Sequence, residues 1–133
     1  MSAAANITVK KYDNTTDIIW SLVSASGGDK SPAVWRSNSA TGTAGQKPTF
    51  TVTSRWNAAG DVRRIDIAGG FPSVYTDTST SLTSVRSKAS FTASFAIPQD
   101  MSTADMNEAA AQIFHLLSDS SIIGTVATGY APT

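Results

Sequence analysis

Three cations on alternating segments are the residues of this 133-residue chain best placed to do chemistry. Arg55 lies near the end of Thr49-Phe-Thr-Val-Thr-Ser-Arg-Trp56, Arg64 near the start of Arg63-Arg-Ile-Asp-Ile-Ala68, and Lys88 opens Lys88-Ala-Ser-Phe-Thr-Ala-Ser-Phe-Ala-Ile-Pro98. Successive side chains of a strand point to opposite faces. Thr51, Thr53 and Arg55 therefore share one face of the first run, and Arg64, Asp66 and Ala68 one face of the second. Lys88, Ser90, Thr92 and Ser94 share one face of the third. The opposite faces carry Phe50, Val52, Ser54 and Trp56, then Ile65 and Ile67, then Phe91, Ala93, Phe95 and Ile97. Guanidinium and ammonium groups set among hydroxyls can hold phosphates without reading a base sequence. The solvated face of a half-covered antiparallel sheet presents the same residue types, so the pattern by itself leaves both readings open.

Other chemistries lack their parts. The single histidine, His115, sits beside Leu116 and Leu117, and neither Glu108 nor Asp119 stands at a spacing that would complete a metal site. The chain has no cysteine, which removes disulfides and thiolate ligands. Serines are numerous, but there is no G-x-S-x-G and no plausible base, so no nucleophilic enzyme is expected. Gly69-Gly70 lacks the lysine and following helix of a phosphate loop. Trp20, Trp35 and Trp56 fit core or interface packing, with a sugar-stacking platform as the alternative. No cofactor and no metal are expected.

Composition narrows the class. A chain of this length is expected to form one domain, residues 1–133. Hydrophobic residues make up 41% and charged residues only 15%, and the ten basic and ten acidic side chains cancel. Zero net charge does little to oppose self-association, and any nucleic-acid contact must come from a local patch. The N-terminal residues lack the basic and apolar regions of a signal peptide, and no apolar run approaches membrane-spanning length, so a soluble protein without membrane partners is expected.

The elements that position the cations follow from pattern. Ile7–Tyr12 and Asp17–Ser24 read as an N-terminal hairpin within residues 1–26, and Pro32–Ser37 as a third strand. Residues 32–98 read as the main sheet, with a loop from Asn38 to Pro48, a hairpin turn at Asn57–Asp61, and a long Ser/Thr-rich loop at 69–87. Residues 102–128 read as two helices. Ser102 or Thr103 caps the first and Ser121 the second. Met106, Ala110, Ile113 and Leu117 fall on one helical stripe flanked by Phe114. That stripe needs an apolar surface, either its own sheet or a second copy of the chain. The expected fold is α+β: an N-terminal β-hairpin, an antiparallel sheet of about five strands, and two C-terminal α-helices.

In this order of elements the chain resembles the coat proteins of the single-stranded RNA bacteriophages, the leviviruses. The residues that carry the likeness are Val34-Trp-Arg-Ser-Asn38, Thr51-Val-Thr-Ser-Arg55, the Arg63-Arg64 strand start, Ser94-Phe-Ala-Ile-Pro98, and Tyr130 just after Gly129. The resemblance implies an intertwined homodimer whose helices clasp the partner, with Met106, Ala110, Ile113, Phe114 and Leu117 at the interface. It implies assembly into a T=3 icosahedral shell around genomic single-stranded RNA, formed in the host bacterial cytoplasm and ending in the virion. It implies a bare inner sheet face that binds an RNA hairpin for translational repression and packaging. By strand and facing, the RNA-contacting positions fall on Thr51, Thr53, Arg55, Arg64, Asp66, Ser90 and Thr92, with Lys88 at the edge. Asp66 and Ala68 depart from the hydroxyl or basic residues of familiar members, and the last strand lacks their stacking aromatic. A β-rich carbohydrate- or surface-binding module, without RNA or shell, is the competing class.

Overall fold

The computed structural model describes residues 3–39 and 42–133. Ala40 and Thr41 of the expected 38–48 loop lie outside them, as do Met1 and Ser2. The described chain divides into two compact units, one ending at Ala96 and one running from Ile97 to Thr133.

The first unit is a single antiparallel sheet of six strands in sequence order. The strands are β1 (Ile7–Lys10), β2 (Asp17–Ser24), β3 (Ala33–Arg36), β4 (Thr49–Trp56), β5 (Val62–Thr76) and β6 (Thr83–Pro98). Asp13 shapes the β1–β2 turn by accepting from the Thr15 and Thr16 amides and the Thr16 hydroxyl, while Asn14 takes the left-handed conformation that Asn tolerates. Between Leu22 and Ser24 the β2–β3 register shifts, a bulge that leaves Val23 out of step.

The expected loop at 69–87 is corrected. Residues 69–76 continue β5, residues 83–87 begin β6, and only residues 77–82 connect them. Gly69 and Gly70 look like breakers, yet they pair with Phe50 and Thr49 in the ladder. At Gly70 the end of the Lys88 side chain lies where a Cβ would stand, so a larger residue there would displace that flexible chain. Thr76 and Thr83 share a hydroxyl hydrogen bond of 3.1 Å at the tip, and the Asp77 amide donates to the Leu82 carbonyl. Gln46, in a single 3-10 turn at Ala44–Gln46, donates to the Thr83 carbonyl and ties the start of β6 to the loop after β3.

The core of the sheet lies on the face of Trp35, Ala33 and Ile67, each at most 8% exposed. Trp35 stands opposite Phe50 with ring centroids 5.9 Å apart, and its indole Nε1 donates to the Ala5 carbonyl at 2.8 Å. The Asn6 side chain accepts from the Leu22 amide, a second tie between the N-terminal segment and the sheet.

The second unit holds two helices, α1 (Thr103–Leu117) and α2 (Ser120–Thr128). Ser102 is the N-cap of α1 and accepts from the Asp105 amide, with Asp105 near the positive end of the helix dipole. The cap expected at Ser121 is Asp119 instead. Its carboxylate accepts from both the amide and the hydroxyl of Ser121, which holds its charge form and lowers its pKa. Gly129 closes α2 in the left-handed conformation at φ 79°, donating to the Thr125 carbonyl.

Replacing Trp35 with Ala removes the largest buried ring of the sheet and is expected to cost about 3–5 kcal/mol, read by chemical unfolding. Trp35→Phe keeps a ring and loses the bond to Ala5, for about 1 kcal/mol.

Candidate nucleic-acid interface

Antiparallel pairing decides which side chains meet, because residues directly opposite each other project from the same face. The β4–β5 register sets Thr51 against Ala68, Thr53 against Asp66 and Arg55 against Arg64. The faces inferred for these two strands are therefore one face. β6 joins it at two points. The Ser94 hydroxyl donates to Asp66 Oδ1 at 2.9 Å, and the Lys88 side chain lies over Gly70. Alternation between those anchors along β6 places Ser90 and Thr92 on the same side. All eight residues named from sequence, Thr51, Thr53, Arg55, Arg64, Asp66, Lys88, Ser90 and Thr92, share the polar face.

Sequence reasoning missed Arg36. On β3 it stands opposite Thr49, and so projects from the polar face too. The available signal was its neighbour: Trp35 is buried on the apolar side, so the next residue must face away. The face thus carries the cations Arg36, Arg55, Arg64 and Lys88 against the single carboxylate Asp66 on β3 to β6.

That carboxylate divides the cations. Arg55 Nε donates to Asp66 Oδ2 at 2.7 Å, while Ser94 occupies the other oxygen. The hydrogen bond from Arg55 first, then that from Ser94, and then the positive charges of Arg55 and Arg64 hold the Asp66 carboxyl below its ordinary pKa. Both partners are about 40% exposed, so the pair adds little stability, but it keeps Arg55 locally neutralised. Arg36, Arg64 and Lys88 make no hydrogen bond or ion pair among the described residues.

Two of the three tryptophan rings have partners within the chain. Trp35 is buried against Phe50, and Trp56 is covered by the Arg63 guanidinium, 4.7 Å from the ring centroid and itself paired with Asp29 at 2.8 Å. Among the described residues no group of three His, Cys, Asp or Glu could hold a metal, and no helix is long and apolar enough to cross a membrane. On α1, Ile113, Phe114 and Leu117 are all about 40% exposed or more within one chain, Ala110 is exposed, and Met106 is half-buried.

No protein-family model matches the sequence, and no curated protein sequence matches it. Its fold, however, is that of bacteriophage coat proteins. It is similar to the virus-like particle of Beihai levi-like virus 21, at 18% identity and a TM-score of 0.81 over 99% of both chains. It is also similar to the bacteriophage GA protein capsid, at 19% identity and a TM-score of 0.75 over 96% of this chain and 95% of that one. The bacteriophage EMS014 coat protein matches at 16% identity and a TM-score of 0.77, over 99% of this chain and 100% of the other. The sequence-based expectation of this α+β fold agrees with these likenesses.

Because Arg55 is the first cause of the low Asp66 pKa, Arg55→Gln is expected to move the Asp66 titration midpoint up toward the ordinary carboxylate range, as read by carboxyl carbon NMR. The pKa is depressed in the folded state, so this carboxylate's contribution is fully present above its unfolded value near pH ~4. It is lost only as pH falls through the lower folded value.

Proposed function

We propose that this protein is a viral capsid subunit that assembles with copies of itself into an icosahedral shell enclosing single-stranded RNA. The observation that carries the reading is full-length likeness of fold to assembled coat structures, combined with a sheet face that concentrates cations in a chain of zero net charge. The role is structural, and no step of chemistry is assigned to it. The protein ends in the virion and assembles in the host bacterial cytoplasm.

The α1 stripe supplies the dimer contact in this reading. Ile113, Phe114, Leu116 and Leu117 expose large apolar surfaces in one chain, which burial against a partner would remove from water at about 25 cal/mol per Å2. With Met106 and Ala110 they form the face that meets the second copy. The polar sheet face lines the lumen. Arg64 and Lys88 contact RNA phosphates, and Thr51, Thr53, Ser90 and Thr92 donate or accept along the strand backbone and bases.

The Arg55–Asp66 pair alters the hairpin-binding role. Asp66 occupies a position where a carboxylate repels phosphate, and Ser90 and Lys88 offer no ring on which a base could stack, an interaction worth about 1–3 kcal/mol per base. The face therefore favours packaging by charge over tight recognition of one hairpin. Asp66→Asn removes the repulsion and frees Arg55, and is expected to increase RNA binding.

Expressed alone, the protein is expected to elute as megadalton particles with strong absorbance at 260 nm. A monomer free of nucleic acid contradicts the capsid reading. Ile113→Asp with Leu117→Asp places charges in the proposed dimer contact and is expected to abolish particles. Arg64→Gln is expected to leave particles intact and lower their RNA content; unchanged RNA content would show that the face does not meet the genome.

A further inference from the structure

We infer that Gln46 is a positioning residue for assembly: it braces a hairpin arm that overhangs the sheet, and so fixes the angle at which one copy meets the next. The inference rests on the capsid reading and names a residue on which uniform closure of the shell depends.

The arm is defined by where pairing stops. β4 begins at Thr49, whose partner on β5 is Gly70. β5 runs on from Phe71 to Thr76, and β6 starts at Thr83. About 20 Å of ribbon at strand rise therefore lies beyond the end of β4, with only its own two strands to pair. A two-stranded ribbon is marginal on its own. This one is tied within itself. Thr76 and Thr83 share a hydroxyl hydrogen bond, and the Asp77 and Ser81 amides donate to the Leu82 and Asp77 carbonyls. The Arg86 guanidinium lies 4.3 Å from the centroid of the Tyr75 ring. The arm thus holds its own shape, and its direction depends on what joins it to the rest of the sheet.

Among the described residues, the side chain that crosses to the arm with a hydrogen bond is Gln46. Its Nε2 donates to the Thr83 carbonyl at 3.0 Å, a contact between residues 37 positions apart. The brace meets the arm at its far end, where Thr76 and Thr83 close it, and so controls direction with the longest leverage. The same amide is fixed at its other atom. Oε1 accepts from the Thr43 amide at 3.0 Å, and the Gln46 backbone amide donates to the Thr43 carbonyl at 2.9 Å. Gly42 completes this bracket. Its φ is 112°, and a Cβ there would stand 3.0 Å from the Gln46 Cβ and crowd the side chain beyond it.

The arm exposes Phe71, Tyr75, Leu82 and Val85, all large apolar groups. Contacts between copies close only when each copy presents them at one fixed rotation, and otherwise give open or irregular assemblies. An arm held at both ends presents them at one angle.

The test compares particles of the wild type with two variants by analytical ultracentrifugation and negative-stain electron microscopy. Gln46→Glu keeps the oxygen that accepts from Thr43 and sets a second carboxylate oxygen against the Thr83 carbonyl, so it breaks the brace and spares the bracket. Gln46→Ala removes both bonds. The wild type is expected to give one closed size. At neutral pH both variants are expected to lose that single size and form mixed or open shells, with RNA content per subunit unchanged. Assembled below about pH 4, where a carboxyl gains a proton and can again donate, Gln46→Glu regains the wild-type size and Gln46→Ala does not. Variant particles that match the wild type at neutral pH overturn the inference and leave the capsid reading standing. Loss of fold in both variants, read by circular dichroism, makes Gln46 a residue of the fold itself and overturns the positioning role equally. A wild-type protein that forms no particles removes the capsid reading and this inference with it.

Discussion

In the ladder from β3 to β5, Arg36 opposes Thr49, Thr53 opposes Asp66 and Arg55 opposes Arg64, and that register is the constraint on which the rest of the structure depends. A slip of one residue in any pair would carry an entire strand's side chains to the other face. Phe50, Val52 and Ile67 would then enter water, and the cations would enter the core beside Trp35. The cost of that exchange fixes the register, and the same cost gathers hydroxyls and positive charge on one side. The polar face and the core are thus two consequences of a single packing requirement.

Within the polar face the decisive interaction is between Arg55 and Asp66. Arg55 faces Arg64 directly across the ladder, which unrelieved would repel. Its diagonal reach to Asp66 relieves that repulsion and is locked by Ser94 on β6. The electrostatic result is a face with a quiet centre and free charge toward its margins, at Arg64 on one side and at Arg36 and Lys88 on the other. A polyanion meeting this surface gains most by spanning it.

The strands with alternating residue types are readable from sequence because one apolar face imposes period two, and Thr49–Trp56 follows it except at Ser54, which stands opposite Ile65. The helices are readable because Ser102 and the Met106–Leu117 stripe carry both a start signal and a period. The 69–87 segment misleads, since Gly69, Gly70 and Pro72 are local breakers, yet β5 runs through all three to Thr76, and at Gly70 a lysine from another strand lies over the backbone. Asp119 and Ser121 are both good caps, and only the backbone conformation at Asp119 shows which one ends the chain's turn. The Arg55–Asp66 pair is invisible in the sequence for a different reason. It is a diagonal contact between strands, and no linear pattern encodes a diagonal until the register is known.

The central claim, that the polar face of β3 to β6 looks inward onto RNA, is tested most directly by electron cryo-microscopy of particles assembled from the expressed protein. The account predicts a closed shell in which Arg36, Arg64 and Lys88 line the lumen and touch nucleic-acid density, with the α1 stripe buried between two copies. Particles with that sheet face turned to the outside, or a lumen-facing sheet with no nucleic acid against it, would contradict it.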